Sequence, residues 1–381
     1  MKHPVDGFCD DAFAPVRDAF AGNFAERGEP GAAFALSLHG RVVVDLWGGW
    51  ADRAQTRPWA QDTIVNFFSV SKALSAIVAM RLVERGALHL DAPVRALWPE
   101  FAQAGKEMVT LRHMLSHQAG LPALREVLPD GAMLDWNRMT AALAAQAPWW
   151  QPGTAHGYHV NTYGFLVGEM VRRAVGKTLG TMLRDEIARP LGADVFIGLP
   201  EAEHGRVAEF LWPEGGLKPL LGTDDAMAEM RAKAYWNPPG ISGAGWVNSR
   251  AWRLAEIPST NGHGNARGVA RVYAALANHG TIDGVQILSN ETLRLATQEQ
   301  SNGTDLVTQR PSRFALGFQL TQVERPLGPN AGAFGHFGAG GSLGFCDPET
   351  GVAFGYVTND MGPRWQNPRN RALIDAVYAC L

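Results

Sequence analysis

The chain has 381 residues, of which 46% are hydrophobic and 19% charged, with a formal net charge of −3; it can bury the core of two domains, or of one large domain with an insertion. That balance gives no field to gather nucleic acid or an anionic membrane surface. The three cysteines, Cys9, Cys346 and Cys380, are far apart and lack metal-ligand spacing, which argues against a disulfide framework or zinc site and for a reducing cytoplasm.

The opening segment, MKHPVDGFCDDAFAPVRDAF, has no apolar stretch behind its early lysine. No later run approaches the roughly 20 apolar residues of a membrane span, so neither export nor insertion is expected. Phe13, Val16, Phe20 and Phe24 recur at helical spacing and predict an amphipathic helix. Two β-prone runs around His39-Gly40, in AAFALSLHGRVVVDLWGGWA, predict a hairpin. Next comes FFSVSKALSAIVAMRLVERGAL, from Phe67 to Leu88, with an apolar run long enough for a buried helix.

The middle of the chain reads as helical and loop-rich. Helical patterns near Met133 to Ala147 and Tyr163 to Val175 are broken by PWWQPGT and NPPGISGAGW. From Asn265 onward, Val269, Val272, Tyr273 and Leu276 share a helix face that ends at a glycine. RFALGFQLTQV, GSLGFCD and GVAFGYVTND are strand candidates, the last two joined by a turn at Pro348 to Gly351, and Asn367-Pro368 opens a terminal helix. The expected fold is α/β (α+β): an antiparallel sheet flanked by helices from residues 1–88 and 264–381, a mostly helical domain from 89–263, and the active site between them.

Within the buried helix, Ser69 stands at the start, where free N–H groups and the helix dipole favour an oxyanion. Lys72, one turn on, shares its face. No other serine in the chain has a lysine three residues later. Desolvation would lower the lysine pKa, and a neutral amine can take the serine proton. An N-cap serine followed by a surface lysine would give the same letters.

Such a pair needs a proton donor for the leaving group, and a tyrosine whose pKa is lowered by the cation is suitable. Tyr158, after a Pro-Gly turn and before a helix, and Tyr235, in YWNPPG, both qualify. A rival nucleophile, Ser342 in GGSLG, lies in a strand-turn-strand context, and His336 is the last histidine, so no later triad histidine exists. His117 is expected to hold a loop beneath the site, and His156 and His159 to pack beside Tyr158. Trp149, Trp150 and Trp236 read as core or as pocket walls.

The ordered set SVSK, HMLSHQAGLP, PGTAHGYHVNTYG and FGHFGAGGSLGF resembles the serine β-lactamase and penicillin-binding-protein superfamily, and within it the class C-like esterases called family VIII carboxylesterases. The resemblance runs over nearly the whole chain. It implies a class C β-lactamase-like fold, Ser69 as acylated nucleophile, Lys72 as base and Tyr158, in preference to Tyr235, as proton shuttle. The asparagine that many relatives carry two residues after the tyrosine is Val160 here. The Lys-Thr-Gly motif of the superfamily is matched by His336-Phe337-Gly338, which removes a fixed charge and a hydroxyl and favours uncharged substrates. The Ala339 N–H would join that of Ser69 in an oxyanion hole.

The expected activity is that of a cytoplasmic serine hydrolase cleaving short-chain esters. It needs no cofactor or metal and no partner beyond a small-molecule ester. A β-lactamase or D-amino-acid peptidase or amide hydrolase, an acyltransferase, and a non-catalytic penicillin-binding-like module are the alternatives.

Overall fold

The computed structural model describes residues 5–213, 227–240, 243–362 and 365–381, and the structural statements below refer to these. Of the segments read above, residues 1–4, 214–226 and the two residues Ile241 and Ser242 of the NPPGISGAGW break lie outside them.

The chain opens with β1 (Val5–Cys9), α1 (Ala14–Glu26), and the hairpin β2 (Gly31–Leu38) and β3 (Arg41–Gly49). His39 and Gly40 both have positive φ, +49° and +82°, the two-residue turn whose twist matches the strands it joins. Then come β4 (Val65–Phe68), the buried α2 (Val70–Glu84), α3 (Leu111–Leu115), α4 (Trp136–Ala145) and α5 (Thr162–Val175). Short elements follow: α6 (Leu179–Leu183), α7 (Arg189–Leu191), β5 (Val195–Phe196), α8 (Ala228–Trp236), α9 (Arg250–Leu254) and β6 (Gly262–Gly264). The remainder is α10 (Ala266–Ala277), the small hairpin β7 (Thr281–Ile282) and β8 (Val285–Gln286), α11 (Asn290–Ala296), β9 (Ser301–Thr304), β10 (Pro311–Phe314), β11 (Gln319–Leu320), β12 (Phe334–Phe337), β13 (Leu343–Asp347), β14 (Val352–Thr358) and α12 (Pro368–Ala379).

Among the described residues the main sheet has nine strands in the order β1-β3-β2-β14-β13-β12-β11-β10-β9, every neighbouring pair antiparallel. Strand alternation sorts its two faces. Ala32, Phe34 and Leu36 of β2 join Val16, Phe20, Leu373 and Val377 under α1 and α12, whereas Ala33 and Ala35 join the larger cluster around α2 and α10. Helix α10 lies close on that second face because the sheet is bare there. A Cβ on Gly355 would stand 2.2 Å from the Ala266 carbonyl oxygen, and one on Gly344 2.3 Å from the Tyr273 ring. Under the first face, the buried Glu29 carboxylate binds Tyr356, Thr358 and Arg369. Burial pushes its pKa up, with Arg369 offsetting part of that. Removing one partner of such a buried pair costs about 3–5 kcal/mol.

One expected strand is divided. RFALGFQLTQV spans the end of β10 and all of β11, which reverse on each other with Phe314 opposite Gln319. Gly317 sits in the turn at φ +83°, and a Cβ there would come within 2.2 Å of Ala76 and 2.5 Å of the Tyr163 hydroxyl. The apolar run therefore turns because it packs against α2 and α5, a tertiary contact that strand periodicity does not encode.

A small sheet, β4-β6-β5, sets the entrance to α2. Strand β4 delivers the chain to Ser69, and β6 lies beside it.

Candidate active site

Ser69 caps α2, where the first-turn N–H groups lack intrahelical acceptors. The preceding residue, Phe68, is held at φ +50° with its ring wedged 4.7 Å from that of Phe210. A left-handed backbone at a non-glycine residue is costly and persists only when its surroundings enforce it. Almost all of α2 is buried, including Lys72 at 0% exposure.

Lys72 Nζ lies 3.1 Å from Ser69 Oγ, 2.8 Å from the Val160 carbonyl oxygen and 3.0 Å from the Ser259 carbonyl oxygen. Burial alone holds its pKa well below the ordinary 10.5. The surroundings are tied together by serines. Ser71 Oγ donates to the Phe68 carbonyl and accepts from the Gly262 N–H. Ser75 Oγ reaches the Pro258 carbonyl at 3.0 Å. Ser259 Oγ donates to the Asn161 carbonyl at 2.5 Å and accepts from the Gly164 N–H at 2.6 Å. Three distant segments thus meet around one amine.

Tyr158 lies beneath Lys72, whose Nζ is 4.6 Å from the ring centroid. Its backbone N–H points between the two carboxylate oxygens of Asp305, at 3.0 and 3.1 Å. The same carboxylate accepts from the N–H groups of Val307 and Thr308 and from Ser312 Oγ. His117, itself at φ +62°, accepts the His159 N–H at Nδ1 and the Gly157 N–H at its carbonyl. The loop-holding role expected for His117 matches these bonds. The Tyr158 ring is stacked on Phe314 and meets Trp365 edge-on at 5.0 Å.

The Tyr158 hydroxyl has no hydrogen-bond partner among the described residues. Burial drives its pKa well above 10, and the nearby Ser69 hydroxyl offsets only part of that. The expected lowering by a cation is reversed, because desolvation of the buried tyrosine itself is the largest influence on it.

Strand β12 brings His336 to 6.1 Å from Tyr158, centroid to centroid. His336 Nδ1–H donates to the Phe337 carbonyl at 2.7 Å, while the buried Nε2 has no partner among the described residues. Burial, with help from Lys72, lowers its pKa to about 3, so the ring is neutral. Phe337, one residue on, is buried in the cluster under α1 and α12, as strand alternation requires. Its ring packs with that core, so the pocket-lining role read for Phe337 from the motif is corrected by burial. Gly338 lies against the chain leading to Ser69, and a Cβ there would stand 2.2 Å from the Phe67 carbonyl oxygen. Half-buried Ala339 follows it in a tight turn, Ala339–Gly341.

Tyr235, on α8, packs into the same apolar group as Tyr158 and is raised mainly by its own burial. Ser342 is buried, and its Oγ accepts the Thr358 N–H at 3.3 Å. His156 binds Ser312, and the two nitrogens of His159 bind Gly157 and Leu121. Trp149 and Trp150 donate to the carbonyls of Ala123 and Ala155 and pack, partly buried, against the apolar group that contains Tyr158. Trp236, the last residue of α8, is half-buried.

Two residues that tie these segments together, Ser259 and Asp305, have no place in the motif reading. Ser71 and Ser75, spaced four apart on an apolar helix, were the available signal that a polar segment packs there. Nothing local singles out Asp305.

Among the described residues no helix is long and apolar enough to cross a membrane, and no group of three or more His, Cys, Asp or Glu is placed to hold a metal.

A family model described as Beta-lactamase matches residues 16–379. The chain is similar to a crystal structure of a family VIII carboxylesterase, at 43% identity and a TM-score of 0.92 over 99% of this chain and 100% of the other. The same identity, TM-score and coverage hold for a penicillin-binding protein homologue from Caulobacter crescentus. Esterase/beta-lactamase LipL of Mycobacterium tuberculosis is 39% identical over 366 residues, 93% of this chain and 83% of that protein.

Proposed function

This chain belongs to the Beta-lactamase family, and on that premise we propose that it hydrolyses short-chain carboxylic esters through an acyl-enzyme on Ser69. It is a serine ester hydrolase of the β-lactamase fold, in keeping with the carboxylesterase and esterase it resembles.

The observation that carries the reading is the surroundings of Lys72 Nζ. A neutral amine has two N–H donors and one lone pair. The carbonyls of Val160 and Ser259 take the donors, and the lone pair is left for the Ser69 O–H at 3.1 Å. Ser69 Oγ attacks the ester carbonyl carbon as its proton passes to Nζ. The tetrahedral oxyanion accepts from the N–H groups of Ser69 and Ala339. The C–O bond to the alcohol then breaks, the alkoxide leaves with the Tyr158 proton, and Tyr158 recovers a proton from the Lys72 ammonium. A tyrosine whose pKa is raised is a proton donor at neutral pH rather than a base. Water attacks the acyl carbon by the same route, releasing the acid and restoring Ser69.

Neutral His336 offers no fixed charge to a substrate carboxylate, which supports uncharged esters over penicillins and cephalosporins. The division into residues 1–88 with 264–381 and residues 89–263 is part of the same proposal. So is a cytoplasmic location, supported by three free cysteines.

Intact-mass spectrometry after exposure to a short-chain nitrophenyl ester should show an acyl adduct on the native chain and none on Ser69→Ala. In steady state, kcat/KM for that ester should exceed that for a chromogenic cephalosporin by at least ~100-fold, about 2.7 kcal/mol in the transition state. An adduct that survives Ser69→Ala overturns the mechanism, and a preference for the cephalosporin makes the protein a β-lactamase.

A further inference from the structure

We infer that Asn367 and Asn370, at the start of α12, are positioning residues that hold the turn carrying the Ala339 N–H in the oxyanion hole. This rests on the ester-hydrolase reading above. The two residues form a reciprocal cap. Asn367 Oδ1 accepts the N–H groups of Arg369 and Asn370, and Asn370 Oδ1 accepts the Asn367 N–H at 3.0 Å. Capping uses side-chain oxygens only, and serine or aspartate serves as well.

Here both leftover amide nitrogens are spent on the same turn. Asn367 Nδ2 donates to the Gly340 carbonyl at 3.0 Å, and Asn370 Nδ2 donates to the Gly341 carbonyl at 2.9 Å. Gly340 and Gly341 lie at φ +84° and +114°, a backbone that two glycines adopt freely and hold poorly unless tied. The clamp has a firm base, since Arg369, inside the same first turn, pairs with buried Glu29 at 3.2 Å and with Asp360 at 2.7 Å.

The same amide reaches the opposite wall. Asn370 Nδ2 also donates to the Trp365 carbonyl at 2.7 Å, and the Trp365 ring lies 5.0 Å from that of Tyr158. One side chain therefore couples the oxyanion turn to the backbone of the residue that packs on the proton donor.

The test uses exchanges that keep the cap and delete the nitrogen. Asn367→Ser keeps an accepting oxygen, and Asn370→Asp keeps Oδ1. Asn265→Ser makes the same exchange at the cap of a different helix, α10, where Asn265 Oδ1 accepts the Gly268 N–H. With a short-chain nitrophenyl ester, each clamp variant should lose ~10-fold or more in kcat with KM within about twofold, because misplacing an oxyanion donor weakens transition-state binding. Affinity for a phenylboronic acid, whose adduct on Ser69 places an oxygen in the oxyanion hole, should fall by a similar factor. Asn265→Ser should lower the melting temperature as much without changing kcat.

Unchanged kcat and boronate affinity in folded Asn367→Ser would overturn the clamp while native-chain acylation of Ser69 stands. Absence of that acylation in the native chain overturns the reading beneath it as well.

Discussion

The two walls of the site are made in different ways. On one, Ser69 and Lys72 belong to a single helix, and the helix repeat sets their separation before any tertiary contact forms. On the other, Tyr158, His336 and Ala339 come from a loop, a strand and a turn, held by partners as remote in sequence as Asp305 and Asn370. In the proposed mechanism the helical wall depends on burial to make its lysine a base. The assembled wall depends on hydrogen bonds to place its donors. Substitutions on the first should therefore remove chemistry outright, and substitutions in the supports of the second should degrade it by degrees.

The largest effect is expected at Lys72. Lys72→Ala and Lys72→Arg should each lower kcat/KM by ~10⁴-fold or more, with Ser69→Ala adding little on top because nucleophile and base act as a unit. Arginine tests the charge, since it stays protonated at any usable pH. With neutral Lys72 as the proposed base, kcat/KM should fall as pH drops through its pKa, which burial holds well below 10.5. His336, with its pKa lowered to about 3, should not contribute to that limb near neutrality. A pH profile that rises only near pH 10, or an active Lys72→Arg enzyme, would erase the distinction between the walls.

Tyr158→Phe comes next, with an expected loss of ~10²–10³-fold in kcat, in the range of general acid catalysis. Tyr235→Phe, which removes a hydroxyl from the same apolar group, should change kcat by less than about threefold. Equal losses at both positions, read from steady-state kinetics, would transfer the donor role or share it.

A smaller loss than at Tyr158 is expected in the supports of the second wall, and it sharpens the comparison most. Asp305→Asn leaves one accepting oxygen and turns an NH₂ group toward N–H donors that both carboxylate oxygens now receive. It should reduce kcat by ~10-fold and lower the melting temperature, without touching Ser69 acylation by intact mass. Native kcat in the variant would show that the Tyr158 backbone needs no such anchor.

These differences follow what a sequence can carry. The hairpin at His39-Gly40, the helix of Phe20 and Phe24, the apolar face of α10 and the Asn367-Pro368 helix start were all legible because each is set by residues a few positions apart. The pairing of Ser69 with Lys72 was legible for the same reason, and the order of four motifs singled out Tyr158 and His336 for the roles proposed. The division of RFALGFQLTQV into β10 and β11 was not, since it depends on Gly317 fitting against Ala76 and Tyr163.

By itself, then, the sequence determined the hairpin, the longer helices and the last two strands in their order, and a serine one helical turn from a lysine. Only the tertiary structure decided that the lysine is buried between the carbonyls of Val160 and Ser259, that burial raises rather than lowers the Tyr158 pKa, and that Phe337 turns into the core while His336 lies near Tyr158. The physical reason is range. Helix and turn preferences act over a few residues, whereas desolvation and hydrogen-bond satisfaction depend on every atom that the fold brings near a group.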